Sequence, residues 1–383
     1  MDALAEIILI ALWLRVIVLT GLGVARHRQA DPPPTPACGP ITALVPAYNE
    51  ASGVADTVRS LEAALLHPVS ALVLVDDGST DETARLAHAA ATPERLIVLR
   101  LSPNQGKAAA LNAGLAAART DLIATIDADT MISPEALAFA TAKLHATRTQ
   151  AAAFNLHVAA PRNFLQRIQQ QEYLASLGFE RAGQDLLGFI SVLPGAATLF
   201  RADALAAHPF SARTSTEDAD LTLTLAGAKA RSTLAIGAIA ETHTPATLRA
   251  LITQRLRWTG GHLQCCARHW PCAFSANARL TYLNFLIATL APLFFAFAFA
   301  IVVAKGATPL LGLEVWAITA ISLALVYAQR ATANLATRVR PPSVMIFFFE
   351  PAISSALAAI SFFGALVRGL WRWMGARSAG MTQ

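Results

Sequence analysis

Charge is what this chain has least of. Asp, Glu, Lys and Arg make up 14% of its 383 residues, 55% are hydrophobic, and the mean hydropathy is +0.47. Ordinary soluble domains carry about 25% charged residues, so a wholly soluble protein is excluded and part of the chain belongs in lipid. Cysteine is scarce too. Cys38, Cys265, Cys266 and Cys272 are too few and too unevenly spaced for a disulfide framework, and they suit a reducing compartment. A zinc site drawn from Cys265, Cys266, His269 and Cys272 lacks a paired Cys-x-x-Cys, so these residues read as packing. The net charge of +5 comes mostly from arginines clustered at 26–28, 249–257, 330–340 and 368–377, each beside an apolar run. That placement points to membrane flanks and excludes nucleic acid as the partner.

Long apolar runs are what the chain does have, at 4–24, 280–304, 311–329 and 343–367. Each approaches the roughly 20 residues needed to cross a hydrocarbon core. The first follows Asp2 and Glu6 and ends in Arg26, His27 and Arg28, so it lacks the basic start and cleavage site of a signal peptide. It reads as a retained anchor with its C-terminal end in the cytoplasm. Arg15, near its middle, is costly in lipid, so this helix should pack against others or ride in the interface. Glu350 and Pro351 interrupt the last run, which reads as re-entrant or partly interfacial. The expected organisation is an anchor at 1–28, a Pro-rich linker at 29–40, a soluble domain at 41–245, an amphipathic interfacial helix at 246–272, about three membrane helices within 280–370, and a tail at 371–383.

Inside the soluble segment, "ITALVPAY" and "ALVLVDDGS" are short apolar runs that end in turn residues, and "GVADTVRSLEAALL" between them has helical spacing. Helices at 81–91 and 107–118 and strands at 95–101 and 121–127 continue the alternation. This predicts an α/β fold with a parallel sheet and flanking helices. Ligands of such sheets bind beyond the carboxyl ends of the strands. There the sequence places Asn49 and Glu50, then Asp76 and Asp77, then residues 104–107, then Asp127 and Asp129.

Each polar cluster has two readings. Residues 76–82 are either a turn with a helix N-cap or part of a ligand rim. Asp127 and Asp129 either end a strand before a helix started by Ser133 and Pro134, or share a hard divalent cation that takes its other ligands from water and phosphate. Lys107, one of four lysines, is either solvated or receives an anion at a helix start. "STEDADLT" (215–222) packs Glu217, Asp218 and Asp220 into four positions; one acid caps a helix, or one removes a proton from a hydroxyl, and Asp220 reads as structural. "QRLRW" (254–258) lies in an amphipathic helix with an apolar stripe of Leu248, Leu251, Ile252 and Leu256. That helix can lie on a bilayer while aiming Gln254, Arg257 and Trp258 inward.

The ordered set "VPAYNE", "VDDGSTDET", "NQGKAAALNAGL", "DADT", "STED" and "QRLRW", flanked by membrane helices, resembles the membrane-integrated family 2 glycosyltransferases. That group includes cellulose, chitin, hyaluronan and poly-N-acetylglucosamine synthases. The likeness spans residues 41 to about 270, and the tail "GALVRGLWRW" is similar to the end of the small poly-N-acetylglucosamine synthases. The resemblance implies a GT-A-like fold and inverting transfer from a UDP-sugar, UDP-N-acetylglucosamine or UDP-glucose, to a growing polysaccharide or oligosaccharide. It implies a donor site of Ala47, Glu50, Asp76, Asp77, Lys107 and Asp127, with Mg2+ or Mn2+ held by Asp127 and Asp129. It also implies Asp218 as the base positioned by Glu217, Gln254 and Arg257 on the diphosphate, and Trp258 on the acceptor sugar. The place implied is the bacterial inner membrane, multi-pass, with the catalytic domain in the cytoplasm. The Phe-x-Val-Thr-x-Lys gating loop of cellulose synthases is missing and membrane helices are fewer. Polymer export would therefore need an accessory subunit or a second copy of the chain. Two other readings remain open: transfer to a lipid acceptor to make a glycolipid, and a catalytically silent nucleotide-sugar-binding subunit of an envelope assembly.

Overall fold

The computed structural model describes residues 2–34, 39–92, 94–305, 315–337 and 343–380. Cys38, Arg338 and Arg340 lie outside them. After helix α1 (Asp2–His27) the chain alternates as β1 (Ile41–Ala47), α2 (Val54–Ala64), β2 (Ala71–Asp76), α3 (Thr83–Ala90), β3 (Leu96–Arg100), α4 (Lys107–Ala117) and β4 (Leu122–Ile126). Strands β1, β2 and β4 are buried on both faces, with only Pro46 and Ala71 partly exposed among them, while β3 at the sheet edge leaves Ile97 and Arg100 exposed. That is the reason they read as unbroken apolar runs and not as alternating ones. Helix α2 turns Val54, Thr57, Val58, Leu61 and Ala64 to the sheet, a three-and-four spacing along one face. On α4, Gly114 brings the helix so near that an added Cβ would lie 3.1 Å from Val75 and 3.2 Å from Leu44.

Beyond β4 come β5 (Thr130–Ile132), α5 (Pro134–Thr147), β6 (Ala151–Val158), α6 (Phe164–Glu172), a π-helical segment (Tyr173–Glu180), α7 (Arg181–Leu186), β7 (Ala197–Arg201), α8 (Ala202–Ala207), α9 (Glu217–Gly227) and β8 (Ser232–Thr242). The sheet order is β3-β2-β1-β4-β7-β6-β8-β5. The first four strands are parallel, as the alternation predicts. Strand β7 then runs antiparallel between β4 and β6, and β5 runs antiparallel to β8, so the sheet is mixed. The reversals shape the site. Because β7 starts where β4 ends, the Asp127 amide donates to the Ala196 carbonyl at 2.9 Å, and His243 after β8 donates to the Asp129 carbonyl at 3.2 Å.

Helix α10 (Leu248–Arg268) and a 3-10 turn (Trp270–Phe274) lead to α11 (Arg279–Lys305), α12 (Val315–Thr337) and α13 (Val344–Gly380). Among the described residues, two helices are long and apolar enough to cross a membrane, over Glu6–His27 and Val344–Gly369. Helix α13 is one helix with Pro351 inside it, and it continues to Gly380. Glu350 is fully buried and takes two bonds from the Arg330 guanidinium, at 2.8 and 3.2 Å, and one from the Ser354 hydroxyl at 3.0 Å. An apolar helix tolerates an acid so neutralised.

Arg15 behaves as its cost in lipid predicts: it bonds Asn284 Oδ1 on α11 at 2.9 Å and pairs with Glu180. Arg26 and Arg330 do not behave as free flanking charges. Arg26 is 2% exposed and pairs with Asp31 and, at 2.7 Å, with Asp185, while Lys143 approaches both acids at 3.5–3.6 Å. Cys265 and Cys266 pack with Ala219, Leu223, Tyr282 and Phe285.

Candidate active site

The site is built from strand ends. After β1, Asn49 adopts the left-handed conformation (φ 56°), which an Asn tolerates because its short amide bonds locally. Its Oδ1 accepts from the Thr80 amide at 2.9 Å, and its own amide donates to Ser79 Oγ at 2.9 Å. The Glu50 amide donates to Thr83 Oγ1 at 2.8 Å, and the Ala51 amide to Asp81 Oδ2 at 3.1 Å. The 76–82 segment is therefore more than a helix cap; its side chains brace the neighbouring loop, and the residue that caps α3, Glu82, makes no side-chain cap bond.

Asp76 is 1% exposed; its Oδ1 accepts from the Ser79 amide at 2.9 Å, and its Oδ2 has no hydrogen-bond donor, with Arg100 Nε at 3.5 Å. Asp77 is spent differently. Its two carboxylate oxygens accept from the amides of Gln105 (2.8 Å) and Gly106 (2.7 Å), and its amide donates to buried Ala47 at 2.8 Å. Gly106 sits at φ 88°, where an L side chain would be strained, so the Asp77 carboxylate and this glycine together aim Lys107 from the start of α4.

Lys107 is the hub. Its Nζ lies 2.5 Å from Asp127 Oδ1 and 3.3 Å from Glu217 Oε1, and donates to the Gly195 carbonyl at 3.3 Å. Burial works against the ammonium, but Asp127, Glu217 and Asp218 outweigh it and hold Lys107 charged. The solvated reading of this lysine is thereby excluded. Asp218 accepts from the amides of Gly195 (3.1 Å) and Ala219 (2.8 Å). Burial and then Glu217 push its carboxyl up to about 6, against the pull of Lys107. Asp129 accepts from Thr130 Oγ1 at 3.2 Å and Thr242 Oγ1 at 3.4 Å, and burial with the nearby Asp127 raises its carboxyl well above the usual range. Glu50 is pushed up to about 7 by burial, then by Asp129 and Asp127. Asp220 is structural as read: buried, it accepts from Arg213 Nε at 2.8–3.0 Å and lies 2.8 Å from His269 Nε2.

Helix α10 closes the other side. Its apolar stripe faces protein as well as surface, since Leu251 is fully buried and Leu256 sits against Gly364 of α13, while Leu248 stays exposed. Trp258 packs partly on the main core, and the guanidinium over its ring, at 4.7 Å, belongs to Arg255, which also bonds Glu172 at 2.9–3.0 Å. Arg257 is exposed, and Gln254 buries an Oε1 that has no partner. Behind Trp258 lies a cavity of about 230 Å³ lined by Glu172, Arg255, His262, Thr289, Ser354 and Leu357 among others. Helix α10 meets the start of α9 at Gly261, where a Cβ would fall 2.5 Å from Thr216 Oγ1, and the Ser215 amide donates to Gln264 Oε1 at 2.9 Å.

Sequence reasoning missed Glu172, Gly195 and Gly261, all outside the quoted motifs. Gly195 alone carried a local signal, as a Pro-Gly turn before an apolar run.

Residues 42–208 match the family model for glycosyl transferase family 2. A poly-beta-1,6-N-acetyl-D-glucosamine synthase of Staphylococcus aureus is 30% identical over 225 residues, 58% of this chain and 54% of that protein. The synthase of the same name from Staphylococcus epidermidis is 29% identical over 248 residues, 64% and 60% of the two chains. The chain thus spans little more than half the length of these relatives. The mannosyltransferase PcManGT from Pyrobaculum calidifontis, solved with GDP-Man and Mn2+, superimposes with a TM-score of 0.62 over 88% of this chain and 98% of that one, at 22% identity. That likeness is one of fold. Motif order, mixed sheet and converging acids agree with the family match, so residues 42–208 resemble a family 2 glycosyltransferase domain.

Proposed function

We propose that this enzyme transfers a sugar from a UDP-linked donor to a growing polysaccharide or oligosaccharide at the membrane, with inversion. One observation carries the reading: Lys107 joins Asp127 to Glu217 and stands beside Asp218, so donor-side and acceptor-side acids meet at one point. Ala47, Glu50, Asp76 and Asp77 line the uridine side, where Asp76 keeps one oxygen without a donor. The residues present fit a divalent cation. Glu50 and Asp129 crowd against Asp127, and burial together with the neighbouring acids pushes both carboxyls up, which marks too little positive charge nearby. Among the described residues no three ligands form a cage, which suits an ion that completes its shell with water and diphosphate. Asp127 and Asp129 would hold Mg2+ or Mn2+, and the bound ion would neutralise charge on the leaving diphosphate.

The remaining chemistry belongs to the chain. Asp218 takes the acceptor hydroxyl proton as its oxygen bonds to the anomeric carbon and the bond from that carbon to the diphosphate breaks. Glu217 and the Gly195 amide hold the base in place. Gln254 and Arg257 reach toward the diphosphate, and Trp258 offers a ring face to the acceptor sugar. Arg255 is neutralised by Glu172, so the cavity behind Trp258 carries no free positive charge at that point. This favours an uncharged glycan over a phosphate-bearing lipid as acceptor. The names of the staphylococcal relatives make UDP-N-acetylglucosamine the first donor to try. The apolar helices support a multi-pass place in the bacterial inner membrane with the sheet in the cytoplasm. Export of product through an accessory subunit or a second copy of the chain stands with that reading.

The test is incubation of purified protein in lipid with radiolabelled UDP-sugars and Mn2+, followed by sizing and solvent extraction of product. Water-soluble glycan supports the proposal. Label confined to the organic phase identifies a glycolipid, and no incorporation with intact UDP binding identifies a silent subunit.

A further inference from the structure

We propose that Glu172 sets the charge selectivity of the acceptor cavity: by pairing end-on with Arg255 it cancels the cation in the cavity wall, so that an uncharged sugar is accepted and an anionic one is refused. The proposal rests on the reading of the cavity beside Trp258 as the acceptor's. Glu172 ends α6, and its two carboxylate oxygens are both engaged by one guanidinium. Arg255 Nη1 lies 2.9 Å from Oε1, and Arg255 Nη2 donates to Oε2 at 3.0 Å, with the two side chains 17% and 19% exposed. Such a fork fixes the plane of the guanidinium as well as its charge. The same guanidinium lies over Trp258, 4.7 Å from the ring centroid, so α6 holds the ring in place through Arg255.

Among the described residues, the rest of the wall carries no charge. Glu172 and Arg255 share the cavity with His262, Thr289, Ser354 and Ser361. Burial, and then Arg255, lowers the His262 imidazole to about 4, so it is neutral at neutral pH. Ser354 donates its hydroxyl proton to Glu350 at 3.0 Å, and Arg330 neutralises that acid behind the wall. Ser354 therefore keeps only lone pairs for the cavity, whereas Ser361 holds a buried hydroxyl with no partner. Neutral donors and acceptors of this kind suit the hydroxyls of a sugar.

Position makes the cancellation matter. Ser354, Leu357 and Ser361 come from the Val344–Gly369 stretch of α13, one of the helices apolar and long enough to cross a membrane. Against such a wall the dielectric is low, and an unmatched guanidinium would draw any anion within reach, the phosphate of a lipid headgroup included. An ion pair is weak support for a fold once its desolvation is counted. Facing a cavity, this one decides which charge enters.

The test uses full-length enzyme in lipid with UDP-N-acetylglucosamine, Mn2+ and an N-acetylglucosamine oligosaccharide as acceptor. Glucose and glucuronate, which differ by a carboxylate in place of a hydroxymethyl group, compete with that acceptor, and the ratio of their inhibition constants is the readout. Wild type should be inhibited more by glucose. Glu172→Gln is nearly isosteric and frees the Arg255 charge, so the ratio should move toward glucuronate by about tenfold or more, the worth of one hydrogen bond to a charged group. Arg255→Gln leaves the carboxylate alone and should move the ratio the other way. Thermal unfolding and UDP calorimetry identify the folded variants. A ratio that stays put in whichever variant folds, or moves the same way in both, overturns the proposal, and so does loss of the fold in both, which would make the pair structural. Ser361→Leu, which fills the cavity without changing its charge, separates the two readings. If it leaves the acceptor KM unchanged, the cavity is not the acceptor's and the underlying reading fails; if it raises that KM with UDP affinity kept while the ratio is fixed in the charge variants, only the present inference fails.

Discussion

At the residue scale the site turns on which carboxylates carry charge. Asp218 is raised to about 6 by burial and Glu217, and a base works only when ionised. Lowering pH through 6 protonates it, so kcat should fall on the acid side, about tenfold per unit well below the pKa, and level off above it. A kcat profile measured at saturating donor and metal checks this; a rate flat from pH 5 to 8 contradicts it. Replacing the base by Asn should lower kcat by about 100- to 10,000-fold while calorimetric UDP affinity is kept. Glu217→Gln should cost less, since Glu217 touches Lys107 and the proposed proton acceptor is Asp218. Asp129→Asn should instead weaken Mn2+-dependent donor binding and turnover together. Most of these acids were legible in the sequence because rim residues follow apolar runs and announce themselves in a chain so poor in charge. Glu172 was not legible, because it sits within a helix and its partner, Arg255, is 83 residues away.

At the element scale, periodicity carried β1 through β4 and their helices because each is a local pattern with its own period. The antiparallel insertion of β7 was beyond such reading. Strand order records which segments meet across the sheet, and no local period encodes that. The same limit applies to α10. An apolar stripe marks its buried side but does not decide which of two arginines flanking Trp258 stacks on it, and helix phase selects Arg255. The docking of α10 on α9 gives a prediction of its own. A methyl group at Gly261 would lie 2.5–2.6 Å from Thr216 Oγ1 and Cγ2, too near to fit without displacing the turn that precedes Glu217 and Asp218. Overpacking of this kind costs about 1–3 kcal/mol. Gly261→Ala should therefore lower the thermal midpoint and reduce kcat with little change in UDP affinity. Gly260→Ala, with open space at its Cβ, is the matched control.

At the scale of the whole molecule, α1 is part of the catalytic body and no detachable tether. Its middle is pinned by Arg15 to Glu180 and Asn284, and Trp13 donates to Ser322 on α12 at 2.9 Å. Its backbone lies so close to α7 that a Cβ on Gly183 would fall 2.6 Å from the Leu19 carbonyl. At its end Arg26 sits between Asp31 and Asp185, whose other oxygens accept from the Gly237 amide at 3.1 Å and from Thr233 and Leu234 on β8 at 2.7–2.9 Å. Removing Arg26 strands two buried carboxylates beside Lys143 alone, and breaking a buried pair costs about 3–5 kcal/mol, a large share of the roughly 5–15 kcal/mol that holds a typical domain. Arg28, exposed at the same helix end, has no such partners to lose. Arg26→Met should thus destabilise the sheet domain as well as the helix, with early loss of protease resistance across β8 and α7, whereas Arg28→Met should unfold as wild type does. If both variants behave alike in limited proteolysis and thermal unfolding, α1 is only an anchor. Which side of the membrane this joint body occupies is decided separately by a cysteine placed at Ser102, beside the donor loop. It should be labelled only after the inner membrane is opened, and labelling from the periplasmic side of intact cells would overturn the proposed use of a cytoplasmic UDP-sugar.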